Sequence, residues 1–240
     1  MSQPLGETWV YLSASPLLGL TVTLLAYLAA FWLYQRSKAH PIVNPVLIAI
    51  AILATFLALT GTSYETYFSG AQFVHFLLGP ATVALAVPLY TQFRRVRSML
   101  FPIIAGLLAG SATAIVSAVM IARLFDASTA TQASLAPKSV TTPIAMGIAE
   151  RIGGLPSLTA VMVIFTGVLG AILGNKIFAI IRVGDAAIRG FSLGVASHGI
   201  GTARAFQLNE QTGAFAALAM GLNGLLTALL LPGIADWLIK

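Results

Sequence analysis

"PKSVTTPIAM" (residues 137–146) carries two prolines, a lysine and three hydroxyl side chains, while both flanks are built almost wholly from Ala, Ile, Leu, Val and Gly. The prolines at 137 and 143 each deny the backbone a hydrogen-bond donor. Ser139, Thr141 and Thr142 can satisfy the carbonyls so freed or hold the oxygens of a ligand. As a surface loop the stretch separates two membrane helices; as polar backbone inside the membrane it is the tip of a re-entrant element. Which of the two applies decides the side of the membrane on which later residues stand.

That a membrane is involved follows from composition. Hydrophobic residues make up 58% of the 240-residue chain and charged residues 8%, where soluble domains are about a quarter charged. A span takes about 20 residues, so the chain holds about seven or eight with short connections and no soluble domain beside them. The net charge of +6 is dispersed between apolar runs, which suits topology and not a nucleic-acid surface. There is no cysteine, hence no disulfide, thiol chemistry or Cys-ligated metal. The start, "MSQPLGETWVYLSAS", lacks the basic opening of a cleavable signal, so the apolar run after it reads as a retained first span.

Apolar runs and their breakers place helices at 17–34, 42–59, 73–90, 99–125, 158–181, 186–208 and 214–238. Lys and Arg in short loops stay cytoplasmic. If 137–154 dips in and returns on one side, the inner loops and C-terminus hold Arg36, Lys38, Arg94, Arg95, Arg97, Lys176, Arg182, Arg189 and Lys240. The outer loops then hold Glu7, Glu65, Asp126 and Glu210, with Arg123 as the exception. A full crossing would move four of the basic residues outside, so re-entry is the expectation. The expected architecture is an all-α polytopic membrane protein of about seven transmembrane helices plus a re-entrant segment. It reads as one domain, 1–240: a first span (13–35), a first repeat (42–125), the re-entrant segment (137–154) and a second repeat (158–238). The repeats form an inverted 3+3 pair with two broken helices, at "LLGPAT" (77–82, with Gly79 and Pro80) and "ASHGIGTAR" (196–204). Interrupted spans in matching positions of two halves point to a transporter's binding site. The expected location is the inner (plasma) membrane, with the N-terminus outside and the C-terminus cytoplasmic.

His198, Thr202 and Arg204 lie inside an apolar run, where a charged group costs a few kcal/mol or more. Gly199 and Gly201 let the backbone open and expose N–H groups at the start of a half-helix, where the positive dipole end holds a carboxylate. The plain alternatives are a snorkelling arginine and a satisfied core histidine. Lys138, at a re-entrant tip opposite Arg204 or His198, would complete an anion site, with Pro143 as its helix break; in a loop it would mean nothing. Asn223 is either a ligand or an interhelical bond, and His75 and Thr227 read as packing. Glu150 and Arg151 belong at the mouth of the re-entrant segment. The GxxxG spacings 106–110, 170–174 and 190–194 permit close helix contact, inside the bundle or between copies.

No HExxH or GxxxxGK[ST] occurs, and most of the seven acids lie in loops, so the chain reads as neither an enzyme nor an ATP-driven pump. It calls for no cofactor and no metal. Coupling to a proton gradient would fall to His198 or Glu150.

The motifs "LLGPATVALAVPLY", "PKSVTTPIAMGIAERIGGLPSLTAV", "ASHGIGTARAF" and "GAFAALAMGLNGLLTALLLP" resemble, in order, those of the LrgB/CidB family of bacterial membrane proteins. The resemblance covers the chain from about residue 73 onward. It implies a multispan inner-membrane protein working beside a small LrgA/CidA-type partner, in an antiholin-like role that modulates murein hydrolase export. It also implies kinship with a chloroplast carrier of glycolate and glycerate and with bacterial proteins linked to pyruvate uptake. Two functions are therefore expected: a transporter of small 2-hydroxy or 2-keto carboxylates with a midplane anion site, or an antiholin-like regulator acting by assembly. A lesion-forming protein needs neither broken helices nor paired cations, so the residues favour transport. The expected partners are the carboxylate, the lipid bilayer, the small membrane protein and a possible second copy, with no nucleic acid.

Overall fold

The computed structural model of the chain describes residues 16–38, 40 and 43–239, except the side chains at positions 16, 75, 78 and 82. The N-terminal end, residues 13–15 of the expected first span, residue 42 of the second, the side chain of His75 and the terminal lysine lie outside the described residues. Among those described the structure is helical, with no strand. Five helical stretches are long and apolar enough to cross a membrane: Leu17–Arg36, Tyr64–Thr91, Leu100–Leu124, Pro156–Ile180 and Glu210–Ile239. Pro45–Thr60 is apolar but shorter. The chain divides into two compact units, Met1–Ala84 and Leu85–Lys240, so the boundary falls inside the expected first repeat.

The first unit contains α1 (Pro16–Arg36), α2 (Pro45–Thr60), α3 (Tyr64–Phe76) and α4 (Leu78–Ala84). The Asn44 side chain caps α2 by accepting from Val46 N and Leu47 N, and Gly61, at φ +64°, ends it in the left-handed region that glycine enters freely. α1 packs against α2 and α3; a Cβ on Gly19 would lie 2.4 Å from the Tyr67 carbonyl oxygen. The expected break near Gly79 and Pro80 occurs as a turn at Leu77 between α3 and α4, with both residues exposed in the short α4.

The second unit contains α5 (Ala86–Thr91), α6 (Phe93–Ser98), α7 (Leu100–Leu124), α8 (Thr129–Leu135), α9 (Thr142–Arg151), α10 (Pro156–Ile180), α11 (Ala186–Leu208) and α12 (Glu210–Ile239). Side-chain contacts fix the directions. Ile103 clusters with Phe215 near the starts of α7 and α12, and Ile115 and Val119 cluster with Leu231 and Leu238 near their ends. Gln211 Nε2 donates to Gln92 Oε1 at one end, and Arg123 donates to the Leu238 carbonyl oxygen (2.7 Å) at the other. α7 and α12 are thus parallel. α10 runs against them, from Val163 beside Leu231 to Phe178 beside Ala216.

α8 and α9 are too short to cross the hydrocarbon. Thr129 and Arg151 line a space with Asp236 and Ile239, while Ser139 between the two helices reaches Asn223, near the middle of α12. This segment enters from the end where α12 finishes and returns to it, as a re-entrant element does. Ser134 holds its base: its hydroxyl accepts from Leu155 N (2.7 Å) and its carbonyl accepts from Thr159 Oγ1 (3.0 Å).

α11 departs from the expectation. The helical path breaks at Ser197 (φ −132°) and His198 (φ +40°, ψ −133°), and the chain reverses there. A Cβ on Gly201 would meet the Leu193 carbonyl oxygen at 2.8 Å, and Gly190 and Phe206 abut the adjacent residues Thr212 and Gly213. Arms 186–197 and 199–208 are therefore the two sides of a second hairpin, entering from the end opposite to the first. The reason is local: His198 holds a conformation open mainly to glycine, and small residues at 190, 194 and 201 let the arms lie against each other and against α12. Two expectations change. Residues 186–208 do not cross the unit, and α12 begins at the end where α11 begins, so the C-terminal end of α12 lies beside Arg123 and not opposite it. The expected first triplet lies partly in the other unit; within this unit α7 and α10 run in opposite directions and each is followed by a hairpin. The three GxxxG pairs pack internally: Gly106 and Gly110 face Phe191 and Val195, Gly170 and Gly174 face Ser197 and Leu193, and Gly190 and Gly194 face α12.

Asp185 caps the second hairpin. Its Oδ1 accepts from Ala187 N (2.8 Å) and Ile188 N (3.1 Å), and Oδ2 pairs with the Arg95 guanidinium. The Ile188 N–H leads in holding the carboxyl below the ordinary carboxylate range; partial burial opposes it, and Ala187 N–H and Arg95 add to it. A depressed folded pKa contributes stability above the unfolded pKa and loses it as pH falls through the folded one. Asp185→Ala is therefore expected to cost about 0.5–2 kcal/mol at neutral pH. In thermal unfolding of the detergent-solubilised protein, its deficit against wild type should shrink on acidification below the carboxylate range.

Candidate functional site

The two hairpin tips meet near the middle of the second unit, and Asn223 joins them. Its Nδ2 donates to the Ser139 carbonyl oxygen at the first tip (3.3 Å) and to the Val195 carbonyl oxygen at the second (3.1 Å). Two carbonyl oxygens can only accept, which fixes the amide orientation and leaves Oδ1 on the other side. Asn223 is 1% exposed, and Oδ1 has no hydrogen-bond partner. Of the two alternatives left by the sequence, the structure shows the interhelical bond, and it leaves the amide oxygen unused.

At the second tip His198 is buried, and its Nε2–H donates to the Val163 carbonyl oxygen (2.9 Å). Gly167 makes room for the ring, since a Cβ there would come within 2.8 Å of it. That bond helps to hold a backbone conformation that costs about 1–3 kcal/mol in a non-glycine residue. Thr202 Oγ1 donates to the His198 carbonyl oxygen (2.8 Å) and so spans the first turn of the returning arm. Gly199 and Gly201 open that arm, with N–H groups directed toward the tip. Gly199 faces Met220, while Gly201 sits against Ser197 and Leu193.

At the first tip Lys138 is partly buried, and its Nζ reaches Ser139 Oγ (3.4 Å). No carboxylate pairs with it among the described residues. Asn223 ties the Ser139 carbonyl, one residue along, to the Val195 carbonyl, three residues before His198, so the tips carrying the two side chains lie side by side. Thr141 is the residue before α9 but makes no side-chain cap, and Thr142 and Pro143 form the first turn, so the N–H groups that open α9 have no capping side chain.

The structure thus brings together Lys138, Ser139, Asn223 and His198, with Thr141, Thr142, Gly199, Gly201 and Thr202 beside the tips. Arg204 is not part of this group. The reversal carries it down the returning arm by about 9 Å, at 1.5 Å per residue, where it donates to Gln207 Oε1 (2.9 Å). Glu150 is exposed at the end of α9, at the mouth of the first hairpin. Gly79 and Pro80 belong to the first unit. Ser111, Ser134, Thr159 and Gly167 were missed by the sequence reading; the available signal was small or hydroxyl side chains on otherwise apolar spans. A cavity of about 380 Å3 beside α7 and the entering arm of α11 has Ser192 as its one polar side chain, so it offers nothing to a charged ligand.

A family model described as the LrgB-like family matches residues 23–237. Among similar proteins, YwbG of Bacillus subtilis (strain 168) is 38% identical over 216 residues, covering 90% of this chain and 96% of that protein. A Bacillus mycoides (strain KBAB4) protein named antiholin-like protein LrgB is 32% identical over 218 residues, 91% of this chain and 95% of its own. The protein of that name from Bacillus cereus (strain B4264) is 31% identical over the same length. No solved structure matches. A match of this extent, on a helical chain with several apolar spans, means that the chain belongs to the LrgB-like family.

Proposed function

We propose that this chain is an antiholin-like protein of the plasma membrane whose molecular activity is to bind and pass small carboxylates at the meeting point of its two hairpins. The names of the relatives support the first part. The second part rests on geometry, and one observation carries it: Lys138 stands at the first tip with no carboxylate partner among the described residues, and Asn223 ties that tip to the one carrying His198. A desolvated ammonium without a counter-charge is costly, and two half-helix N-termini add positive potential. A carboxylate answers all three. The substrates that fit are 2-hydroxy or 2-keto acids of the glycolate, glycerate, pyruvate or lactate class, whose second oxygen can meet the hydroxyls of Ser139, Thr141 or Thr142. His198 is the group placed to couple proton movement to the anion, and no enzymatic step is needed. In this reading carboxylate passage sets the conditions for autolysis, together with a small LrgA/CidA-type partner. Uptake of labelled glycolate, pyruvate and lactate into proteoliposomes, with and without that partner, is the test: no saturable uptake in either arm would leave assembly alone as the basis of the antiholin-like role.

The unit end holding Arg94, Arg95, Arg97, Arg182 and Arg189 is proposed to be cytoplasmic, because the other end carries Arg123 and Arg151 among Asp126, Glu150 and Asp236. Ser128→Cys and a cysteine appended after the last residue should then both react with an impermeant thiol reagent applied to intact cells, and Gly184→Cys should not. The chain has no native cysteine to confuse the result. An appended cysteine reached only from inside would mean that 186–208 crosses after all.

A further inference from the structure

Below the first tip, Ser111 of α7, Ser139, and Asn223 and Thr227 of α12 line one small space with Ala136 and Pro137. All four polar residues are buried, at 4%, 6%, 1% and 3% exposure. Together they bring three hydroxyls and the Asn223 side chain to one space, and the Asn223 amide oxygen, which has no partner among the described residues, cannot as an acceptor serve an anion. The space does not admit a water-sized sphere, so a bridging water does not account for the orphan oxygen. A neutral, all-oxygen set beside the C-terminal end of a short helix and an unwound tip is the environment of a hard monovalent cation. A potassium ion is about as large as a water molecule; a sodium ion is smaller.

From these observations we infer that Ser111, Ser139, Asn223 and Thr227 form a sodium site beneath the first hairpin tip. The site goes beyond the carboxylate reading and bears on it. Ser139 Oγ is 3.4 Å from the Lys138 ammonium, so a cation held by that hydroxyl is repelled by Lys138 until an anion neutralises the lysine. Each ligand then strengthens the other by the same factor, which is the condition for co-transport.

The test uses the full chain in detergent, with sodium chloride, potassium chloride or choline chloride as the probe at equal ionic strength and no carboxylate added. Sodium alone is expected to raise the unfolding temperature. Ser111→Ala and Thr227→Val, which remove an oxygen at nearly constant volume, are each expected to raise the half-effective sodium concentration about tenfold, a loss of one charge-assisted contact. Lys138→Met is expected to lower it by about tenfold or more, by removing a like charge a few ångströms away. Equal unfolding temperatures in the three salts for wild type, or a sodium response unchanged in both hydroxyl variants, would overturn the site. Failure of the carboxylate reading is seen separately, as no response of wild type to added pyruvate or glycolate in any of the salts.

Discussion

Lys138→Met is expected to raise the half-saturation concentration for carboxylate uptake by on the order of tens to thousands of times, corresponding to ~2–5 kcal/mol for a desolvated charge contact. The size of the effect follows from the surroundings of the ammonium. It stands at the first hairpin tip with a long bond to Ser139 Oγ and, among the described residues, no acid partner. An anion bound there meets no competing carboxylate and little water to screen it. Lys138→Arg should retain part of the uptake with altered selectivity, since the guanidinium keeps the charge and presents it as a planar fork. Arg204→Met, on the returning arm and bonded to Gln207, should change the half-saturation concentration much less. Comparing the two cations at matched protein level separates an anion site at the tips from a diffuse positive field. A Lys138→Met protein with wild-type half-saturation would sink the carboxylate reading, and Arg204→Met with the larger loss would move the site down the arm.

That contrast between two cations also marks what the sequence could and could not convey. The re-entrant character of 137–154 was legible because its proline and hydroxyl content conflicts with an ordinary span and the loop charges exclude a crossing. The break at His198 was legible too, from glycines inside an apolar run. What was not legible was the angle of the break. A 23-residue apolar run is long enough to cross once or to reach the middle and return, and hydropathy is the same for both. The approach of Gly201 to Leu193 and the match of Gly190 and Phe206 to the adjacent residues Thr212 and Gly213 distinguish them, and those are tertiary facts. The consequences ran downstream: Arg204 was placed opposite Lys138, and the direction of the last helix was inverted. Asn223 illustrates the same limit at one side chain, since its bridging bond needs two carbonyl oxygens contributed by segments far apart in sequence.

The reversal at His198 makes a second strong prediction, about stability. In the entering arm of α11, a Cβ on Gly190 would lie 2.1 Å from the Thr212 carbonyl oxygen, and one on Gly194 would lie 2.2 Å from the Ala216 carbonyl oxygen and 2.7 Å from Ala219 Cβ. Those obstacles are mainly backbone and cannot swing aside, so the arm and α12 would have to separate by about an ångström. Overpacking of this kind costs about 1–3 kcal/mol per site, occasionally more, which outweighs the ~1 kcal/mol that alanine gains over glycine in a helix. Gly190→Ala and Gly194→Ala should each lower the unfolding temperature, and the pair together should leave little folded protein in the membrane. Gly147→Ala and Gly221→Ala are the opposite case: nothing lies within 4 Å of the added carbon, and only the helix-propensity gain remains, so both should be neutral or slightly stabilising. Gly194→Ala should also weaken carboxylate binding beyond its effect on folding, because Val195, the next residue, supplies one of the two carbonyl oxygens held by Asn223. Unfolding temperatures of the four single variants in one detergent decide the matter. Gly194→Ala as stable as Gly221→Ala would mean that the entering arm does not lie on α12, and the second hairpin would be lost with that contact.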